Sequence, residues 1–296
     1  MRIQAINIYL NNIRLFKSLF LLLTIFVVSS CSHVISNAKT EFSQDLAATI
    51  MESDDPETIK KGVPAYLILI SSMIRGSDDN PDLLESGAKL YGAYASGFAD
   101  SVESKKVLSK RAFDYASRAM CLRNENFCDL KNVSYFEYEK RLKSVDVSQV
   151  ESLFVFASAW AGIIEANSSD WNAVAELPKV KASIQRVLDL DETVNNGNAH
   201  LYMAVMESIL PPTLGGKPEL AQMHYERAIE ISKGTNLMAK VLYADKYARM
   251  LFDRELHDAL LQQVIDADIG PKEQTLINTL AKQRAAELLA SADDYF

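Results

Sequence analysis

The chain is predicted to be all-α, a solenoid of stacked antiparallel helix pairs, and three observations predict it. First, residues 197–268 alternate helical apolar periods with breakers. Leu201, Val205 and Ile209 fall on one face, Leu220, Met223, His224 and Ala228 on another, and Pro211, Pro212, Gly215 and Gly216 interrupt the chain between them. Second, Ala221, Tyr225 and Ala228 alternate small and large residues at the spacing that lets two helices of a hairpin approach closely. Third, YASRAMCL, ASIQRVLDLD, YERAIEIS and LLQQVIDAD share one pattern. With Ala119, Val187, Ala228 and Val264 as equivalent positions, the separations are 68, 41 and 36 residues, near multiples of the roughly 34-residue tetratricopeptide period. The array is therefore tetratricopeptide-like.

From the N-terminus, residues 1–30 read as a secretory signal, with Arg2, Arg14 and Lys17, no acidic residue, and the apolar run Leu19 to Val28. The run is short for a membrane-spanning helix, which needs about 20 apolar residues. Val28, Ser29, Ser30 and Cys31 resemble a lipobox, in which cleavage precedes the cysteine and its thiol is acylated. Cys31 is thus the expected lipidation site and first mature residue; the competing reading is an ordinary signal, or an uncleaved anchor, with a chance cysteine. Ser32 at the next position matches outer-membrane lipoproteins rather than those retained at the inner membrane. Without the signal, 28 basic residues face 39 acidic ones and the formal charge moves from −8 to −11. An acidic chain without a basic stripe makes nucleic acid an improbable partner.

Residues 31–41 read as a polar tether, and 42–296 as one helical-repeat domain, large enough for a substantial core. Phe42, Leu46, Thr49 and Ile50 line a first helix that the turn SDDP ends. VPAYLILISSMIRG is apolar nearly all round, so it is expected to be a central helix starting near Pro64 and stopping at Gly76. Asn80 caps and Pro81 opens the next helix, in which Leu83, Leu84, Gly87, Leu90, Tyr91, Tyr94, Ala95 and Phe98 form a stripe. Gly87, Gly92 and Gly97 imply close packing there, because a helical glycine costs nearly 1 kcal/mol relative to alanine.

A helix over 104–122 follows, with Leu108, Ala112, Tyr115, Ala116 and Ala119 at hairpin spacing. Residues 123–147 read as an insertion with its own short helix or turn. Cys121 and Cys128 suit either a small disulfide in an oxidising compartment or two free thiols; CLRNENFC is poor in further soft metal ligands. Next comes an apolar helix over 150–165 with Phe154, Phe156 and Trp160, then a break at 168–170, and a partner opened by Pro178 and running to Leu190. A last amphipathic helix over 271–289 carries Leu276, Leu280 and Leu288 and caps the array.

No catalytic constellation emerges. His33, His200, His224 and His257 lie in separate segments outside any zinc spacing, although a fold can still join two of them. There is no nucleophile elbow, LGGK lacks the rest of a phosphate loop, and Asp293 and Asp294 read as a solvated end. The chain is expected to be non-enzymatic, with no cofactor and no metal.

VPAYLILISSMIRG, LYGAYASGFAD, LGGKPELAQMHYERAIEIS, NLMAKVLYADKYARMLFDRELHDALL and the terminal ASADDYF together resemble the TatT family of lipoproteins associated with TRAP transporters. The resemblance spans essentially the whole mature chain. It implies a lipid-anchored, periplasm-facing component that docks a periplasmic TRAP-type solute-binding protein. It further implies a homotrimer with a pore or cleft in each subunit admitting a small apolar ligand. Tyr91, Phe98, Tyr202, Met203, Met206, Tyr243 and Tyr247 lie on first helices of pairs, which face the concave side of a solenoid, and are the expected lining. Ordinary core is the competing reading for each. The alternative functions are an envelope assembly scaffold gripping an extended protein segment, and a periplasmic enzyme whose site is assembled from distant residues.

Overall fold

A computed structural model describes residues 40–76, 79–130, 133–209, 213 and 216–296. The signal, Cys31, His33 and most of the tether lie outside the described residues, as does part of the LGGK turn. The described chain is helical, without a β-strand. It runs α1 (40–51), α2 (Pro56–Arg75), α3 (Pro81–Gly97), α4 (Val102–Arg123), α5 (Tyr135–Leu142), α6 (Val150–Ala166), α7 (Trp171–Val174), α8 (Leu177–Leu190), α9 (Val194–Glu207) and α10 (Pro218–Ile231). Then follow α11 (Leu237–Leu242, continued as a π-helical turn over Tyr243–Ala248), α12 (Arg254–Asp266), α13 (Thr275–Ala290) and α14 (Ala292–Tyr295).

Helix starts follow local chemistry. The Asp55 carboxylate accepts from the Glu57 and Thr58 amides ahead of Pro56, the Asn80 side chain accepts from Leu83, and Ser101, Ser134 and Asp253 cap α4, α5 and α12. The principal packing partners are α3 with α4, α4 with α6, α6 with α8, α9 with α10, and α13 with both α11 and α12. Ala119, Val187, Ala228 and Val264, the positions that set the repeat, are all buried, on α4, α8, α10 and α12.

Three apolar clusters form the core. One joins α1 to α4, a second gathers α5, α6, α8 and part of α9, and a third spans α9 to α13. α6 is the described helix long and apolar enough to cross a membrane, but most of it is buried, with Phe156 and Trp160 in the second cluster and Val155 in the first. Leu276 of α13 belongs to the first cluster, and Lys272 pairs with Glu52 at 2.6 Å. The last helices of the array thus return to the first. Asn278 holds that end together from full burial. It accepts from the Leu237 amide at 3.0 Å and donates to the Thr235 and Ile269 carbonyls at 2.8 Å each.

Several sequence expectations are corrected. α2 starts at Pro56, so Pro64 sits inside the helix, where the missing N–H orphans the Lys60 carbonyl four residues back. The Tyr94 hydroxyl from α3 donates to that carbonyl at 3.0 Å. Nor is α2 buried on every side. Val63, Leu67, Ile70 and Ile74 pack inward, whereas Ile68 is 73% exposed and Tyr66 and Leu69 are partly exposed, because α2 lies at the edge of the stack. On α10 the inward face is Ala221, His224, Tyr225 and Ala228, and Met223 is half exposed. Of the three α3 glycines, Gly87 alone is tightly packed: a Cβ there would lie 2.7 Å from Ile74 Cδ1 and 3.1 Å from Tyr115 Cδ2.

Candidate functional site

The seven residues expected to line a cleft are divided among the three clusters. Tyr91 and Phe98 pack in the first. The Tyr91 hydroxyl donates to the Leu67 carbonyl at 3.0 Å and meets Ser71 Oγ at 2.8 Å, and Tyr115 donates to the same serine. Tyr202, Met203 and Met206 join the second, where Tyr202 meets Phe154 edge-on at 5.6 Å. Tyr243 and Tyr247 are buried in the third, with Tyr243 stacked on Tyr225 at 4.7 Å between centroids. Burial raises both hydroxyls above the usual tyrosine range, so they stay neutral.

A concave apolar feature lies elsewhere, between α1, α2 and α3. Phe42, Leu46, Tyr66, Leu69, Ile70, Met73 and Leu90 line a shallow cleft. Its enclosed volume is about 10 Å³, the room of one water molecule. The neighbouring α2 groups carry the Tyr91 and Ser71 network, which fixes α2 against α3.

Two histidines that the sequence left apart are joined by the α9–α10 hairpin. His200 and His224 are both buried, with their Nδ1 atoms 2.8 Å apart, and His200 Nε2 lies 3.1 Å from Glu192. Arg227 grips both oxygens of Glu192 and also pairs with Glu230 at 2.6 Å. Arg227, and after it His200, holds the Glu192 carboxyl down to about 2. With Glu192 ionised, His200 donates through Nε2, and the single proton between the rings comes from His224. Burial first, and the His200 ring second, lowers His224 to about 4. The contacts Glu192–His200–His224 fix the orientation of both rings in the α9–α10 hairpin. The turn leading into it is unusual: Asn195, Asn196 and Gly197 all have positive φ. The sequence signal was the NNGN run, since asparagine and glycine tolerate that region best.

His257, also buried, contacts Asp258 through Nδ1 at 2.8 Å and the Phe296 ring edge-on. Asp293 is bonded to Arg254 at the surface. Cys121 and Cys128 form a disulfide with Cα atoms 4.7 Å apart. Among the described residues, no group of three His, Cys, Asp or Glu is placed to hold a metal ion.

No curated protein sequence matches the chain. A family model described as TAtT, TRAP transporter T-component, matches residues 52–296, which is nearly the whole helical array from the end of α1 through α14. The chain therefore belongs to the TRAP transporter T-component family, as an accessory protein of a TRAP transport system in the cell envelope.

Proposed function

We propose that the protein is a non-catalytic lipoprotein, acylated at Cys31, that docks a periplasmic TRAP-type solute-binding protein and passes a small apolar solute to or from it. The observation that carries this reading is the family match across residues 52–296. The Cys121–Cys128 disulfide supports an oxidising compartment, where such bonds persist. The lipobox at Val28 to Cys31 supports attachment to a membrane facing the periplasm, with Ser32 favouring the outer one. Binding proceeds without covalent chemistry: side chains of the helical array meet the partner, and the solute moves between apolar surfaces.

The test is affinity capture with the full chain isolated from its own envelope, followed by identification of bound proteins and small molecules by mass spectrometry. Recovery of a solute-binding protein, with or without an apolar solute, is expected. Recovery of outer-membrane assembly proteins in its place would overturn the reading in favour of a scaffold.

A further inference from the structure

The exposed face of α2 demands an explanation. It carries Tyr66, Ile68 and Leu69, and the helix continues it with Ala65 and Ser72, so an uncharged, largely apolar strip about two turns long faces solvent between the exposed charges of Lys61 and Arg75. Phe42 of α1, 47% exposed, shares a cleft with Tyr66 and Leu69 and extends the apolar surface across two helices. Contiguous apolar surface of this kind marks contact with a protein or a membrane rather than with water.

The position of the chain selects between them. α1 enters the fold at this patch: Thr40 Oγ1 accepts from Asn80, and Phe42, two residues on, already lines the cleft. Only residues 32–39 separate Thr40 from Cys31. Even fully extended, that connection reaches at most about 30 Å. An acyl group on Cys31 therefore keeps this side of the molecule within one domain diameter of the bilayer. Acyl chains supply the membrane affinity, and an apolar helical face sets orientation by sinking to the level of the headgroups.

We infer that the α1–α2 face, centred on Ile68 and Phe42, rests on the lipid surface and orients the helical array on the membrane. The inference rests on acylation of Cys31, part of the function proposed above. α5 and α8 pack in a different cluster from α1 and α2, so the exposed Phe136 of α5 serves as the reference position.

The experiment uses the full lipoprotein, purified in detergent and reconstituted into phosphatidylethanolamine–phosphatidylglycerol vesicles containing a nitroxide-labelled phospholipid. Ile68→Cys and Phe136→Cys variants are labelled with a small environment-sensitive fluorophore. Cys121 and Cys128 are bonded and an acylated Cys31 has no free thiol, so the new cysteine alone reacts. Quenching at position 68 on the order of threefold greater than at 136 is expected for a face at headgroup depth. Equal quenching at the two positions, on protein that remains vesicle-bound, would overturn the inference. So would cross-linking of 68 to 68 between copies without lipid quenching, which assigns the face to a second copy of the chain. The mass of the peptide containing Cys31 reads acylation separately. An unmodified mass leaves Cys31 a free thiol that takes the label too, so the comparison is then read in a Cys31→Ser background, where quenching retained at 68 removes the acyl anchor and keeps the membrane face, and absence of quenching removes both.

Discussion

The pairing of Pro64 with Tyr94 yields a quantitative prediction. Replacing Tyr94 with Phe removes the hydroxyl that donates to the Lys60 carbonyl from α3, at a site that is partly buried. An acceptor left without its partner costs about 1–2 kcal/mol. Replacing Pro64 with Ala restores a backbone N–H to the same carbonyl and relieves the ring contact that disfavours proline inside a helix. In the Pro64→Ala background, Tyr94→Phe is then expected to cost only a few tenths of a kcal/mol. The coupling between the two substitutions is therefore about 1 kcal/mol, above the 0.3–0.5 kcal/mol within which independent sites add. The assay is urea unfolding of all four proteins followed by far-UV circular dichroism, with the midpoint compared at constant slope. Additive effects would refute the reasoning, because they would mean that the Tyr94 hydroxyl does not replace the amide that Pro64 lacks.

Further outcomes follow from other sites. His224 is neutral when folded down to about pH 4, whereas an unfolded histidine protonates near 6.5. The unfolded state thus binds more protons between these values, and stability falls as pH drops from 6.5 toward 4, by up to about 3 kcal/mol; His224→Gln should flatten that part of a pH series of denaturation midpoints. Gly197→Ala places a Cβ 3.0 Å from Ile231 Cβ at φ +79°, so a thermal melt should show a loss of at least about 1 kcal/mol. Reducing the Cys121–Cys128 bond opens a loop with a sequence separation of 7 and should lower stability by about 2 kcal/mol, read as a lower melting temperature with dithiothreitol. A Cys121→Ser, Cys128→Ser protein should be insensitive to the reductant.

What the sequence determined by itself is local. The cap at Asn80, prolines at helix starts, and apolar residues three and four apart are properties of neighbouring positions, and they marked most of the helices. The pairing of helices was legible for the same reason, since Ala119, Val187, Ala228 and Val264 are each buried on the second helix of a packed pair. Periodicity identifies an apolar face, however, without saying what covers it. Pro64 looked like a helix start because its remedy, Tyr94, lies thirty residues away on another helix. α2 looked central because a helix apolar all round is read as buried, and only its place at the edge of the stack leaves Ile68 in contact with solvent. His200 and His224 had no motif, because their meeting depends on the register of α9 against α10. The return of α13 to α1 and α2, and the separation of the aromatic residues into three clusters, likewise depend on how successive pairs turn about one another, a rotation set by packing across helices and absent from any local pattern.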